Sequence, residues 1–230
     1  MGLWGKLCLA GSLVLLLCVC DTQGGAEEME SIPLPEPSLT GEVSVEQAIS
    51  RRRSRREFTD KPLSLEQLGQ VLWAAQGITG EGGRKRAAPS AGATYPMFLY
   101  VAVGEEGVRG LEPGVYRYEP SGHSLAPHKE GDLRREVARA ALGQSFLAQA
   151  PVDILMAADY QRTAGRYGQR ATRYVAMEAG HIGENIYLQA EALGLGTVAV
   201  GAFRDDALGR VFGLPENQDA LYVMPLGHPR

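Results

Sequence analysis

Residues 172–193 set the first limit on how this chain can fold. Val175, Ala179, Ile182, Ile186, Ala190 and Leu193 fall at i, i+4, i+7, i+11, i+15 and i+18. That spacing draws one apolar stripe along a helix. So long a stripe must be covered by another layer. Ala176, Ala179, Gly180 and Gly183 are small enough to admit a second helix closely, and Gly194 and Gly196 end the pattern. Met97–Val103, Val152–Ala158, residues 197–203 and residues 221–226 are short apolar runs that read as buried strands. Gly114–Glu119 and residues 124–128 flank Ser121-Gly122 as a hairpin. Ser44 with Gln47, and Ser64 with Gln67, are capping boxes that open two helices. The first runs to about Arg52, and Gly77 suits the C′ position of the second. Further helices fit residues 132–142 and Asp205–Phe212. The sum is an α+β domain with one mixed sheet flanked by helices.

The N-terminus is of a different kind. Lys6 precedes residues 7–20, an uncharged leucine-rich run shorter than the roughly 20 residues that span a bilayer. Residues 1–20 therefore read as a signal peptide. Leu17-Cys18-Val19-Cys20 is similar to a lipoprotein lipobox, with Val19 where a small residue is usual. The expected location is outside the cytoplasm, periplasmic or held at a bacterial membrane through this end. Residues 21–41, with Pro33, Pro35, Pro37 and several acids, read as an extended tether. Residues 42–230 are left as the folded domain. Cys8, Cys18 and Cys20 are the cysteines of the chain, so that domain has neither disulfide nor thiolate. Its histidines, His123, His128, His181 and His228, show no ligand spacing, and no metal site is expected.

Charge is concentrated in one place. Arg51-Arg52-Arg53-Ser54-Arg55-Arg56 packs five arginines into six residues of a chain whose net charge is −4. Guanidinium forks suit phosphate oxygens; the alternative is a solvated helix end, where cations meet the negative pole of the helix dipole. The acidic balance, with a pI near 5.7, argues against nucleic acid as the partner. Three other stretches could carry chemistry. Pro89, Ser90 and Ala91 open a small-residue loop that lets a flat ligand approach the backbone, or that simply turns before a strand. Val200, Gly201 and Ala202 end a strand, where sheet proteins place ligands, or make a tight turn. Tyr167 lies among Arg162, Arg166 and Arg170 in a polar stretch read as a loop. It is an acid candidate or a surface tyrosine.

In order along the chain, these stretches resemble a known family. Arg-Arg-Ser-x-Arg-x-Phe at residues 52–58 resembles the opening motif of the nitroreductase-like flavin enzymes. Residues 89–93, Glu178-Ala179-Gly180-His181 with Asn185, Val200-Gly201-Ala202-Phe203 and Leu226-Gly227-His228-Pro229 look like its SagB/ThcOx-type dehydrogenase branch. The resemblance implies a nitroreductase-like fold and a homodimer with the long helix at its interface. It also implies FMN in clefts between subunits. On that pattern Arg52, Arg53, Ser54 and Arg56 hold the phosphate and ribityl chain. Pro89, Ser90 and Ala91 reach the flavin from the partner subunit, and Val200, Gly201 and Ala202 run along the ring edge near N5. Arg230 stands in for late phosphate contacts that longer relatives supply. Tyr167 matches the tyrosine of a Lys-Tyr pair, with Arg166 in place of the lysine; arginine keeps its proton and is a poor shuttle. The implied activity is FMN-dependent transfer of hydride equivalents to or from a small molecule or peptide. The alternative is a non-catalytic assembly or binding protein that keeps the fold. An exported enzyme would meet little NAD(P)H, so another electron donor is expected.

Overall fold

The computed structural model describes residues 1–2 and 30–230. Residues 3–20 of the stretch read as a signal peptide, including the lipobox-like run and the three cysteines, and residues 21–29 of the stretch read as a tether lie outside the described residues. Among those described, no helix is long and apolar enough to cross a membrane.

A seven-stranded sheet organises the domain, in the order β1-β4-β3-β2-β5-β7-β6. The strands are β1 (Ile32–Pro33), β2 (Met97–Val103), β3 (Gly114–Glu119), β4 (Ser124–Glu130), β5 (Val152–Ala158), β6 (Gly196–Thr197) and β7 (Asp219–Gly227). Pairing between them is antiparallel. Among the described residues, parallel contact enters only as single bridges, Ser54 to Thr197 and Leu63 to Val108. The central strands are buried on both faces, which is why β2 is apolar throughout and β5 is apolar but for Asp153, rather than alternating. On one face Leu99, Val101, Ile154 and Met156 meet α2 (Leu65–Gln76) and α6 (Ala171–Ala192). On the other, Tyr100, Leu155 and Val223 meet α3 (Arg134–Ala140), α4 (Phe146–Gln149) and α7 (Asp205–Phe212). The predicted stripe of α6 is the buried one: Val175, Ala179, Ile182, Ile186 and Ala190 are each at most 1% exposed.

Both capping boxes form, at the starts of α1 (Val45–Arg51) and α2. Gly77 is needed for a reason other than a left-handed cap. Its φ is −62°, but a Cβ there would lie 2.2 Å from the Trp73 ring. Three expectations need correction. The tether is extended but docked: Ile32–Pro33 pairs with β4, and Leu34 is buried with its amide on the His123 carbonyl at 2.9 Å. His123 donates from Nε2 to the Pro35 carbonyl at 3.0 Å, which leaves Nδ1 to accept from Tyr118 at 2.8 Å. The strand expected over residues 197–203 stops at Thr197, and beyond it only Val200 bridges, to Val223. The polar stretch before α6 is a helix, α5 (Tyr160–Tyr167), started by Asp159 accepting from the Gln161 amide at 2.9 Å.

Candidate functional site

The arginine segment is pinned as an extended strip beside β6. After α1 the Arg52 backbone leaves the helix, and Ser54 bridges Thr197. The Arg55 amide donates to the Thr197 carbonyl at 2.9 Å. Phe58, 1% exposed, anchors the strip and bridges Pro229. The Arg230 amide closes it, donating to the Glu57 carbonyl at 3.2 Å. Gly196 permits this approach, because a Cβ there would lie 2.8 Å from Arg55 Cβ. A fixed backbone thus carries the exposed guanidiniums.

These cations are poorly compensated. Arg52 stands 3.8 Å from Glu184 and 5.1 Å over the Tyr187 ring. Arg53 folds back onto the Ser50 and Arg52 carbonyls at 3.0 and 2.8 Å. Arg56 sits 6.0 Å from the Phe146 ring. Among the described residues, Arg53, Arg55 and Arg56 have no carboxylate within ion-pair distance.

Tyr187, one helical turn beyond Glu184, ties this strip to the next stretch. Its hydroxyl accepts from the Ala199 amide at 2.8 Å and lies 3.1 Å from Ser54 Oγ. With the Ala199 donor on one lone pair, the arrangement that uses every polar group has Tyr187 donating to Ser54. The Ser54 proton is then left for an external acceptor. Sequence reasoning passed over Tyr187, which reads as one more residue of an amphipathic helix. Beyond Ala199, Val200 is buried and exchanges two backbone bonds of 3.0 Å with Val223, while Gly201 and Ala202 are exposed. Gln144 donates to the Ala202 carbonyl at 3.0 Å. The amides of Gly201 and Ala202 donate to no acceptor among the described residues. The structure therefore brings together the residue 52–56 strip, residues 200–202 and Arg230.

Pro89, Ser90 and Ala91 form a second group. Ser90 Oγ accepts from the Tyr95 amide at 2.9 Å. Gly92 has φ +59°, and a Cβ on it would lie 2.6 Å from the Tyr167 hydroxyl. Arg166 donates to the Gly92 carbonyl at 3.3 Å, and Tyr167 meets the Tyr174 ring edge-on at 5.0 Å. A cavity of about 270 Å³ is lined here by Pro89, Ser90, Ala91, Tyr174, Glu178 and His181, among others. Glu178 is 2% exposed and its Oε1 has no hydrogen-bond partner. Burial raises its pKa, against a smaller pull downward from Ser90 and Gln76. Its place at helical spacing between Val175 and Ile182, beside Ala179, could have flagged it from sequence.

The two groups do not meet within one chain. Glu178 and Tyr187 mark their positions on α6, about 13 Å apart along the axis at 1.5 Å per residue. The donors suit a flavin nucleotide: uncompensated guanidiniums and a serine hydroxyl for a dianionic phosphate, free backbone amides for a ring edge. Among the described residues, no group of three or more His, Cys, Asp or Glu could hold a metal.

Comparison with known proteins bears on this arrangement. The model of the nitroreductase family matches residues 49–228. MJ1384 of Methanocaldococcus jannaschii, named as a nitroreductase, is 46% identical over 81% of this chain and 91% of its own. An FMN reductase (NAD(P)H) of Bacillus subtilis is 26% identical over 79% of this chain and 64% of its own. The trifolitoxin operon protein TfxC of Rhizobium leguminosarum is 25% identical over 89% and 65%. Among solved structures, a nitroreductase-named protein of Ralstonia eutropha superposes with a TM-score of 0.76. It is 31% identical and covers 89% of this chain and 91% of that one.

Proposed function

This chain belongs to the nitroreductase family, and from that premise we propose that it is an FMN-dependent oxidoreductase of the SagB/ThcOx-type branch, acting as a homodimer on a small molecule or peptide. The observation that carries the reading is the Tyr187 junction, which fixes Ser54 of the arginine strip against the backbone leading to Gly201 and Ala202. FMN, when bound, supplies hydride exchange at the ring N5. In this reading Arg52, Arg53, Arg56 and Ser54 hold its phosphate and ribityl chain, with Arg230 beside them. Gly201 and Ala202 present amides to the ring edge, and the buried Val200 fixes them. Pro89, Ser90 and Ala91 close the site from the partner subunit, which accounts for two groups of residues separated along α6. Exposed Met177 on that helix supports a contact there. Tyr167 is the acid candidate. Arg166 braces the Gly92 carbonyl and moves no proton.

The variant carrying Arg53→Ala and Arg56→Ala tests the placement. Each hydrogen bond to a charged group is worth about 1.5–3 kcal/mol. Losing two should weaken FMN binding about a hundredfold or more. Both side chains are exposed, so the fold and the dimer should survive. Retention of FMN by the folded double variant would refute the assignment. Export, as read from residues 1–20, adds a donor other than NAD(P)H. Stopped-flow mixing should show slow flavin reduction by NADH and NADPH, and rapid reduction by either would remove that part. Turnover with a dye acceptor would exclude a purely non-catalytic role.

A further inference from the structure

A separate cavity of about 170 Å³ lies between the start of β2, the β3–β4 turn and the end of α2. It shares no residue with the arginine strip or with residues 200–202. Two guanidiniums form part of its wall. Arg86 stacks 4.8 Å from the Tyr95 ring, and Arg162 stacks 5.2 Å from the Phe98 ring. Among the described residues, neither has a carboxylate within ion-pair distance. Glu119 also lines the cavity; its Oε1 is buried and makes no well-directed hydrogen bond, but Arg117 stands 2.5 Å from it and compensates its charge from outside the cavity lining. Glu178 is felt by Arg86 without forming an ion pair, and its burial favours the neutral form. Burial lowers the pKa of Arg86, and repulsion from Arg162 adds to this against the pull of Tyr95, Tyr118 and Glu178.

The hydrogen bonding points the same way. Arg86 Nε and Gln76 Nε2 are buried donors with no acceptor, and Gln76 is 1% exposed. The nearby tyrosine hydroxyls donate elsewhere, Tyr95 to the Arg84 carbonyl at 2.6 Å and Tyr118 to His123 at 2.8 Å, and neither oxygen accepts from Arg86 Nε or Gln76 Nε2. Spare buried donors cost free energy unless something accepts from them. Arg86 Nη1 donates to the Gln76 backbone and side-chain carbonyls at 3.3 and 3.5 Å, and Arg162 to the Tyr95 carbonyl at 2.9 Å. Two guanidiniums beside the spare donors of Arg86 Nε and Gln76 Nε2 are complementary to an oxyanion. Met97, Phe98 and Leu99 give the same cavity an apolar side. Its volume lies below the roughly 300–1,000 Å³ typical of drug-sized ligands.

We propose that this cavity binds a small organic carboxylate, with its oxygens on Arg86, Arg162 and Gln76 and its apolar body against the start of β2. The site is independent of the flavin reading. Calorimetric titration of the purified full chain with benzoate, acetate and inorganic phosphate tests it. Benzoate should bind saturably, with Kd on the order of 1 mM or tighter. Arg162→Gln should weaken it about tenfold or more, and Arg162→Lys, which keeps the charge but not the fork, should weaken it less. The Arg53→Ala, Arg56→Ala variant should bind benzoate as the parent does. Arg162 is exposed, so its variants should fold, and unchanged thermal melts confirm this. No saturable binding, binding of phosphate alone, or benzoate binding unaffected by Arg162→Gln would overturn the assignment.

Discussion

Replacing Tyr187 with phenylalanine removes one oxygen and leaves the ring under Arg52. In the parent that oxygen accepts from the Ala199 amide at 2.8 Å and meets Ser54 at 3.1 Å. The Ala199 amide is only part-buried, so water can replace part of what is lost. The cost should fall near the low end of the range for an unsatisfied donor, about 1 kcal/mol. For a domain of this size that is about 2–4 °C in Tm. The larger consequence concerns Ser54. Without a donor on its oxygen, its hydroxyl can turn inward, and a charge-assisted bond to the phosphate is no longer enforced. FMN affinity should drop about tenfold. Ser54→Ala removes the same bond directly and should cost a similar amount. A double-mutant cycle, read by fluorescence titration of FMN, decides the matter. If Tyr187 acts through Ser54, the double variant binds FMN little worse than Ser54→Ala alone. Additive losses would refute the coupling.

Two further outcomes follow from other sites. Gly92→Ala combines a positive φ with a Cβ that would meet the Tyr167 hydroxyl at 2.6 Å. It should displace Tyr167 and lower turnover with a dye acceptor while leaving FMN affinity within about twofold; unchanged turnover would remove Tyr167 from the chemistry. Asp153 is fully buried with neither oxygen partnered, and burial raises its pKa well above the usual carboxylate range, against an opposing pull from Arg134. The native state therefore binds this proton more tightly than the unfolded chain. The group's contribution to stability is complete below the unfolded pKa and is lost as pH rises, by at most about 1.4 kcal/mol per pH unit. Urea melts of Asp153→Asn against the parent should show a flatter fall between acidic and neutral pH; an equal slope would contradict this.

How much could be read beforehand depended on the kind of signal. The capping boxes at Ser44 and Ser64 name their own helices, and β2 and β5 are bounded by sharp changes in composition. α5 was illegible because it has no apolar stripe: Thr163 is its one buried residue, and a side-chain cap from Asp159 starts it. β1 hides in a proline-rich stretch because its edge position leaves proline tolerable. Residues 197–203 are apolar enough for a strand, yet they leave the sheet after Thr197 and so free the amides of Gly201 and Ala202. Composition marked the arginine strip, but its alignment on Thr197 and Tyr187 is a tertiary fact that no local pattern carries. The same holds for the cavity between Arg86 and Arg162, whose residues come from five separate parts of the chain.

A flavin held by this strip should be visible in the absorbance spectrum of the purified protein. The protein should be yellow and carry FMN in a fixed ratio to chain, or be colourless and turn yellow, and stay so through gel filtration, after incubation with FMN. A folded protein that remains colourless after that incubation would contradict it.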